Sequence, residues 1–389
     1  MLVGIIGAPN KGKSTIFSAL TLENAEIADY PFTTISPNFG IAYVNSECPE
    51  KRLGIRCNPR NSLCIDGVRR IPVNLVDVAG LVPSAHEGKG MGTQFLSEIM
   101  GADVIIQVVD LSGKTDLEGN AAVGFDPAAD AEMVSEEMAR WLAGIIQKHM
   151  QPLSKKGDAV KALAELLSGF NASEGIIRKS IEENGLSSFN ISWDDRAGYA
   201  FSRSLLRKIK PVVIAANKMD TAAPGALEKL KAELGSYRVI GCSGALELAL
   251  RKASEKNAIS YIPGKAGFTV NSGITGEQEK ALSYIGSYLK KFGSTGVQEV
   301  LDEAVFGIGS KIVVYPVENE NRFSDGSGNV LPDAILLDKG ATALDLARKI
   351  HSDIAERMLY AVDAINKMRI AKDHLLENGA VIKIVTAAR

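Results

Sequence analysis

The sequence predicts an α/β protein with a doubly wound sheet, a helical insertion and a smaller α+β domain after it. Short apolar runs at residues 2–6, 103–110 and 211–216 each end in glycine or polar residues, which is typical of buried parallel strands. Apolar residues with helical spacing fill much of the chain between the second and third runs. After residue 307, the sequence pattern predicts strands, turns and a helix in succession. We therefore expect one domain at 1–305 and another at 306–389.

The composition is that of an ordinary globular protein. The chain has 389 residues, 46% hydrophobic and 23% charged, with a net charge of -2. This balance gives no global basic field for nucleic acid. The apolar runs are too short for a membrane helix, and residue 2 already enters a core strand. We therefore expect a cytoplasmic protein with no membrane partner.

The four cysteines form no C-x-x-C pair. Reduced, unpaired thiols are the favoured interpretation of Cys48, Cys57, Cys64 and Cys242. A metal or redox role for Cys57 and Cys64 is the less favoured alternative.

The first strand, residues 2–6, leads into the turn GAPNKGKS and a helix predicted over 15–22. This is G-x-x-x-x-G-K-[ST] between a strand and a helix. Two glycines let the backbone N–H groups face one concavity, and the helix N-terminus adds a positive dipole end for phosphate. We expect Lys13 to reach the β- and γ-phosphates and Ser14 to bind Mg²⁺. The predicted nucleotide-binding residues here are Gly7, Ala8, Pro9, Asn10, Lys11, Gly12, Lys13, Ser14 and Thr15.

Residues 28–38 contain two prolines, which favour an extended segment. The adjacent threonines Thr33 and Thr34 place a hydroxyl where Mg²⁺ and a γ-phosphate would lie if this is a nucleotide-sensing loop. A polar surface loop is the alternative, and the segment alone favours neither interpretation.

The predicted hairpin at 65–77 ends in the pattern D-x-x-G, formed by Asp77 and Gly80. We expect Asp77 to hold Mg²⁺ through water and the Gly80 N–H to bind the γ-phosphate. Leu81 follows and cannot hydrogen-bond, so either hydrolysis is slow or another group orients the attacking water. His86, in the same glycine-rich loop, is the candidate for that role. The favoured alternative for His86 is a surface histidine without a catalytic part.

A helical insertion is predicted at 119–196, with helical patterns at 131–147, 158–167 and 174–184. A helix and strand then lead to Asn217-Lys218-Met219-Asp220. The Asp220 carboxylate can accept both the N1–H and N2–H₂ bonds of guanine. Adenine would leave it unpaired, at a cost of about 1–3 kcal/mol. We expect Asn217 to brace the loops and the Lys218 stem to lie across the base. The strand at 237–242 ends in the turn Ser243, Gly244 and Ala245, whose amides would reach guanine O6.

The rest of the chain carries no evident chemistry. Residues 246–305 are predicted to be mostly helical. The C-terminal domain has a predicted strand at 311–317, a turn at 325–329 with a return strand at 331–337, a helix at 342–351 and a strand at 380–386. Thr342 is the predicted N-cap of that helix. Its acidic and basic residues balance, so any nucleic-acid contact there would need a local patch.

In chain order, GAPNKGKS, FTT, DVAGL, NKMD and CSGA resemble the five loops of a P-loop GTPase of the TRAFAC class. The segments YPFTTISPN and DVAGLVPSAHEGKGMGTQFL resemble switch I and switch II of the Obg family. The segments VYPVENENRFSDGSGNVLPDAILLDKG and LENGAVIKIVT are similar to a TGS domain, a ubiquitin-like β-grasp module. Over nearly the whole chain, the sequence therefore resembles the YchF-related branch of the Obg family.

This resemblance implies a P-loop NTPase fold and Mg²⁺-dependent hydrolysis of GTP to GDP and phosphate. Lys13, Ser14, Thr34 and Asp77 would serve phosphate and metal, and Asn217 and Asp220 would choose guanine. Leu81 matches the family's hydrophobic substitute for a catalytic glutamine, which implies slow intrinsic turnover. Asn10 matches an asparagine that helps hold K⁺ in related GTPases.

The resemblance also implies a ribosome or RNA partner and leaves the oligomeric state open. YchF and its close eukaryotic relatives depart from N-K-x-D and prefer ATP, whereas this chain keeps Asp220. GTP is therefore the expected substrate. The alternatives are a YchF-like ATPase and an RNA- or ribosome-binding switch in which hydrolysis is incidental.

Overall fold

The computed structural model describes residues 1–22, 38–78, 80, 83–84, 99, 101–154, 158–170, 172–187, 193–271 and 275–387. The chain divides into two compact units. The first contains residues 1–41 and 74–304, and the second contains residues 42–73 and 305–389. The expected second domain, 306–389, differs from the second unit chiefly because that unit also takes in residues 42–73.

The first sheet is largely parallel. Its strands are β1 (Leu2–Ile6), β2 (Asn38–Glu47), β3 (Leu63–Ile65), β4 (Val68–Asp77), β5 (Val104–Asp110), β6 (Val212–Asn217) and β7 (Arg238–Gly241). Their order is β2-β4-β1-β5-β6-β7, with β3 paired to β4. The register sets Ile5 beside Asp77 and Asp110 beside Asn217. Because these pairings are parallel, the polar ends of β4, β5 and β6 lie at one edge of the sheet.

Helices surround this sheet in the first unit. They span Lys13–Thr21, Pro127–Ser154, Ala159–Leu166, Glu174–Glu183, Asp195–Ile209, Ala226–Glu233, Gly244–Glu255, Gly276–Phe292 and Val297–Asp302. Side chains of Asp158, Ser173 and Asp194 cap the helices Ala159–Leu166, Glu174–Glu183 and Asp195–Ile209, because each accepts a hydrogen bond from a first-turn amide. The helices of the insertion and the helix after it pack into one core that includes Leu142, Leu163 and Phe201.

Two features of the first unit were not expected. The long helix of the insertion begins and ends outside its predicted range of 131–147, at Pro127 and Ser154. The mostly helical stretch 246–305 also contains an antiparallel hairpin of β8 (Ile259–Tyr261) and β9 (Phe268–Val270). These strands have three residues each, which is too short for alternation to show in the sequence.

The second unit is built on a five-stranded mixed sheet. Its strands are β10 (Lys311–Val317), β11 (Ile335–Asp338), β12 (Met358–Asp363), β13 (Met368–Ile370) and β14 (Ala380–Thr386). They lie in the order β11-β10-β14-β12-β13, and β10 and β14 are parallel. Two helices, Ala343–Ile350 and Ser352–Arg357, accompany the sheet. Leu346 of the first packs with Val314 and Ile382 of the sheet in one core.

The predicted return strand at 331–337 is wrong in its first half, because β11 begins at Ile335. The residues before it bond to segment 58–61 instead. Asn58 N donates to Val330 O at 3.0 Å, and Arg60 N donates to Pro332 O at 2.8 Å. These backbone bonds explain why residues 42–73 belong to the second unit.

None of the helices in the described part of the chain is long and apolar enough to cross a membrane.

Candidate nucleotide-binding site

The glycines of the loop between β1 and the helix Lys13–Thr21 cannot be replaced without a clash. Gly7 has φ +147°, and a Cβ there would lie 2.4 Å from Val108 O. Gly12 has φ +94°, and a Cβ there would lie 2.2 Å from Asn217 Nδ2. Gly12 is also the N-cap of the helix, and no side chain caps that helix. First-turn amides of the helix are therefore left for an anion such as phosphate.

Lys13 lies folded across this loop. Its Nζ is buried and donates to Ala8 O at 3.0 Å. Burial lowers the pKa of Lys13, the charge of Asp77 opposes this shift, and the charge of Lys11 adds to it. A buried ammonium beside a glycine-rich loop is suited to binding phosphate.

Ser14 and Asp77 meet at the carboxyl end of β4. Ser14 Oγ donates to Asp77 Oδ2 at 2.9 Å. Asp77 Oδ1 is buried and receives no hydrogen bond from the described residues. Burial raises the pKa of Asp77, against the Ser14 hydrogen bond and the charge of Lys13. A hydroxyl beside an under-satisfied carboxylate is a set of hard oxygen ligands that fits Mg²⁺.

Asn217 ties two loops together. Its Nδ2 donates to Lys11 O at 2.9 Å, and its Oδ1 accepts from Gly244 N at 2.9 Å. The side chain is buried, so both bonds are shielded from water. The predicted bracing geometry is thus present between the phosphate loop and the turn after β7. The Gly244 amide, which we expected at guanine O6, is engaged by this bond.

Lys218 bridges the same loop from the other side. It adopts φ +62°, and its Nζ donates to Asn10 O at 2.9 Å and to Asp110 Oδ2 at 2.8 Å. Burial raises the pKa of Asp110, but hydrogen bonds from Lys218, Ser112 and Thr115 outweigh it, so the net shift is downward. Sequence reasoning missed Asp110, although it ends β5 as Asp77 ends β4.

Asp220 is positioned by the turn after β7. Its Oδ1 accepts from Ser243 Oγ at 2.7 Å. Ser243 also caps the helix Gly244–Glu255 through a bond from Leu246 N. Ala245 is exposed beside them. The structure therefore brings the predicted base-choosing carboxylate and the predicted O6 turn together.

The side chain of Lys11 is engaged inside the protein. It is fully buried, with its Nζ 2.9 Å from Asp130 Oδ2 and 2.8 Å from Thr115 O. The Phe125 ring centre lies 5.1 Å from the same Nζ. Burial raises the pKa of Asp130 to about 6, against the hydrogen bond and charge of Lys11. Lys11 can thus serve a nucleotide only through its backbone, and its side chain anchors the loop.

Gly80 lies close to the phosphate loop, since a Cβ there would be 3.0 Å from Pro9 Cγ. Asn10 has φ +60° and donates from its Nδ2 to Gly119 O at 2.9 Å. Thr34, Leu81 and His86 lie outside the described residues. Their predicted roles stay predictions.

Three family models match the chain. A model for 50S ribosome-binding GTPases matches residues 2–151. One described as an Obg-like GTPase YGR210-like, G4 motif-containing domain matches residues 215–319, and a TGS domain model matches residues 327–386.

Two curated relatives match over all or most of the chain, and a third matches over less than half of it. An uncharacterised GTP-binding protein of Methanocaldococcus jannaschii is 46% identical, with 100% of both chains covered. An uncharacterised GTP-binding protein of Schizosaccharomyces pombe is 32% identical, with 90% of both covered. A protein of Mycoplasma genitalium named ribosome-binding ATPase YchF is 37% identical over 42% of each chain.

Two solved structures are similar to this chain over nearly its whole length. The crystal structure of a GTP-binding protein from Pyrococcus horikoshii matches with a TM-score of 0.79 and 36% identity, covering 100% of both chains. The Schizosaccharomyces pombe YchF GTPase has the same fold, with a TM-score of 0.57 and 18% identity over 99% of this chain and 97% of the other. The predicted fold class is therefore confirmed, and so is the family. This chain belongs to the YchF-related, Obg-like P-loop GTPases with a C-terminal TGS domain.

Proposed function

We propose that this GTPase is a guanine-specific switch that acts on the ribosome. The observation that supports it best is the hydrogen-bonded connection between the phosphate loop and the N-K-x-D loop through Asn217 and Lys218. The names of a matching family model and of YchF relatives include ribosome binding. We expect the switch to work in the cytoplasm.

In the proposed reaction, water attacks the γ-phosphate of GTP and GDP leaves. Lys13 and the loop amides hold the charge that spreads over the phosphate oxygens. Ser14 and Asp77 would hold Mg²⁺, and a bound Mg²⁺ neutralises part of that charge. Thr34 and Gly80 would sense the γ-phosphate, and His86 is the candidate for orienting the water.

We also propose that a monovalent cation, K⁺, binds beside Asn10. Asn10 holds Gly119 O through its Nδ2, and the oxygen of the same amide is the atom that suits K⁺. K⁺ there would supply the positive charge that an arginine finger supplies elsewhere.

Asp220→Asn tests the guanine-specific site. The asparagine oxygen can still accept a hydrogen bond from Ser243 Oγ. The amide, however, cannot accept both guanine hydrogen bonds as a carboxylate can. We expect GTP and GDP affinity to fall by about tenfold or more, with ATP affinity unchanged, because only guanine loses a bond. Titration of GTP, GDP and ATP with Mg²⁺ into wild type and variant measures this.

An ATPase is the second candidate, because several relatives carry ATPase names. Equal affinity of the wild type for ATP and GTP, with no effect of Asp220→Asn, would contradict guanine choice and support that candidate. Ser243→Ala is a matched control, because it removes the support of Asp220 while leaving its carboxylate in place.

A further inference from the structure

Three cysteines and a glutamate converge in the segment 42–73. Sγ of Cys48, an Oε of Glu50, Sγ of Cys57 and Sγ of Cys64 all lie within 4.8 Å of one another. They come from separate local elements: the residue that follows β2, the first residue of the helix Glu50–Leu53, the following loop and β3. Sequence spacing hides this convergence, because the cysteines are six or more residues apart.

Two distances between the ligand atoms are close to those of a tetrahedral metal site. Zinc bonds of about 2.3 Å to sulfur and 2.0–2.2 Å to oxygen separate two sulfurs by about 3.8 Å and a sulfur from an oxygen by about 3.5 Å. Cys48 Sγ lies 3.9 Å from Cys57 Sγ, and Cys64 Sγ lies 3.3 Å from Glu50 Oε1. A disulfide would need about 2.05 Å between its sulfurs, and all four cysteines of the chain are free thiols.

The surroundings orient these ligands. Glu50 Oε2 accepts from Cys57 N at 3.0 Å, which directs Oε1 toward Cys64. Cys48 is buried, and its N donates to Gly67 O at 2.9 Å, across the turn between β3 and β4. Such outer contacts fix metal ligands in place.

Buried positive charge compensates the cluster. The Arg69 side chain is fully buried, donates to Leu331 O and places its guanidinium 5.3 Å from the Tyr315 ring centre. Arg69 also stands opposite Cys64 in the antiparallel pairing of β3 with β4. Three thiolates, a carboxylate and a Zn²⁺ ion would together be anionic, so an adjacent arginine is favourable.

We propose that Cys48, Glu50, Cys57 and Cys64 form a structural Zn²⁺ site that holds segment 42–73 in shape. Soft thiolates select zinc over magnesium or calcium, and four protein ligands close the coordination shell. The site lies in the second unit, whereas the nucleotide residues lie in the first. This proposal is therefore independent of the proposed switch.

Metal analysis of the purified full-length chain tests the site. We expect one zinc per chain, and an X-ray absorption spectrum with sulfur at about 2.3 Å and one lighter ligand at about 2.0 Å. After zinc is removed under reducing conditions, Co²⁺ should restore a sulfur-to-cobalt charge-transfer band and the intense visible bands of a tetrahedral site.

Variants separate this site from adventitious binding. Cys57→Ser and Cys64→Ser should abolish the cobalt bands, and Glu50→Gln should weaken zinc binding at least about tenfold. The matched control is Cys242→Ala, which removes a buried thiol of the first unit and should keep both zinc and the bands.

Several results would overturn the proposal. These are wild-type protein without stoichiometric metal or cobalt bands, iron in place of zinc, an absorption spectrum without sulfur, or a Cys48–Cys57 disulfide that persists under reducing conditions. The measurements on wild-type protein decide the question even if a variant fails to fold.

Discussion

At the scale of single residues, the candidate nucleotide site is braced by a side chain from outside the glycine-rich loop. Asn217 reaches the backbone of Lys11 on one side and of Gly244 on the other. Gly12 leaves room for this amide, which any Cβ would obstruct. The loop shape is therefore set from outside the loop as well as by its glycines.

Asn217→Ala should weaken binding of GTP and ATP together. The change removes two buried hydrogen bonds, each worth about 0.5–1.5 kcal/mol, so we expect roughly a tenfold loss for both nucleotides. Equilibrium titration measures it beside Asp220→Asn, for which the loss should fall on guanine alone. Unchanged affinity would show that the loops hold their shape without Asn217.

Some side-chain contacts of the candidate site could be predicted from the sequence, and others could not. Motif spacing assigned Ser14 and Asp77 to one metal ion, and Asp220 and the turn at Ser243 to one base. The structure brings each pair into contact, because the loops after these strands lie at one edge of the sheet. Motif spacing named Lys11 among the nucleotide-binding residues of the loop but did not predict the ion pair of the Lys11 side chain with Asp130. Asp130 lies far along the chain in the insertion, and single-sequence patterns do not show such a long-range pair.

At the scale of elements, the helix Ala343–Ile350 shows a local signal that the sequence carried fully. Thr342 was the predicted N-cap, and the structure adds a capping box with Asp345. Asp345 Oδ2 accepts from Thr342 Oγ1 at 2.7 Å and from Thr342 N at 2.9 Å. The return strand at 331–337 failed for the opposite reason, because its first residues bond to a segment remote in sequence.

Asp345→Ala should lower the free energy of unfolding of the second unit by about 0.5–2 kcal/mol. Hydrogen bonds from Thr342, then the charge of Arg348, lower the pKa of Asp345. The ionised Asp345 carboxylate therefore stabilises the folded unit at pH values above the ordinary aspartate pKa. This contribution is lost as the pH falls through the lowered pKa of Asp345 in the folded state. Hydrogen exchange of this helix at neutral and acidic pH measures it.

The matched control for this prediction is Asp373→Ala, at an exposed aspartate of the same unit. We expect no change there at either pH. If the free energy of unfolding of Asp345→Ala stays below that of the wild type by the same amount at low pH, the result would contradict a role for the ionised carboxylate.

At the scale of the whole molecule, the second unit takes its segment 42–73 from between the two predicted switch loops. Segment 42–73 follows the loop of Thr34 and precedes Asp77 and Gly80. The sequence showed the TGS resemblance of the C-terminal part clearly. It could not show that this part is completed by an earlier segment, since their contacts span more than two hundred residues.

A ribosome-linked switch predicts nucleotide-dependent association. We expect the full chain to co-sediment with ribosomes more strongly with a non-hydrolysable GTP analogue than with GDP, because in the proposed switch the γ-phosphate is the group that both switch loops would bind. The nucleotide-free chain is the control. Equal sedimentation in all states would contradict the switch, and ribosomes that bind the chain without raising its GTP turnover would indicate that hydrolysis is incidental.

The division of the second unit has a consequence for how the chain folds during synthesis. Residues 42–73 emerge early, yet their partners begin only at residue 305. At roughly 5–20 residues per second, the wait lasts on the order of 10–50 s. The proposed zinc ligands all lie between Cys48 and Cys64, so the ion can fold this segment locally before its partners exist. Metal capture would then protect a nascent hairpin until the last strands arrive to complete its unit.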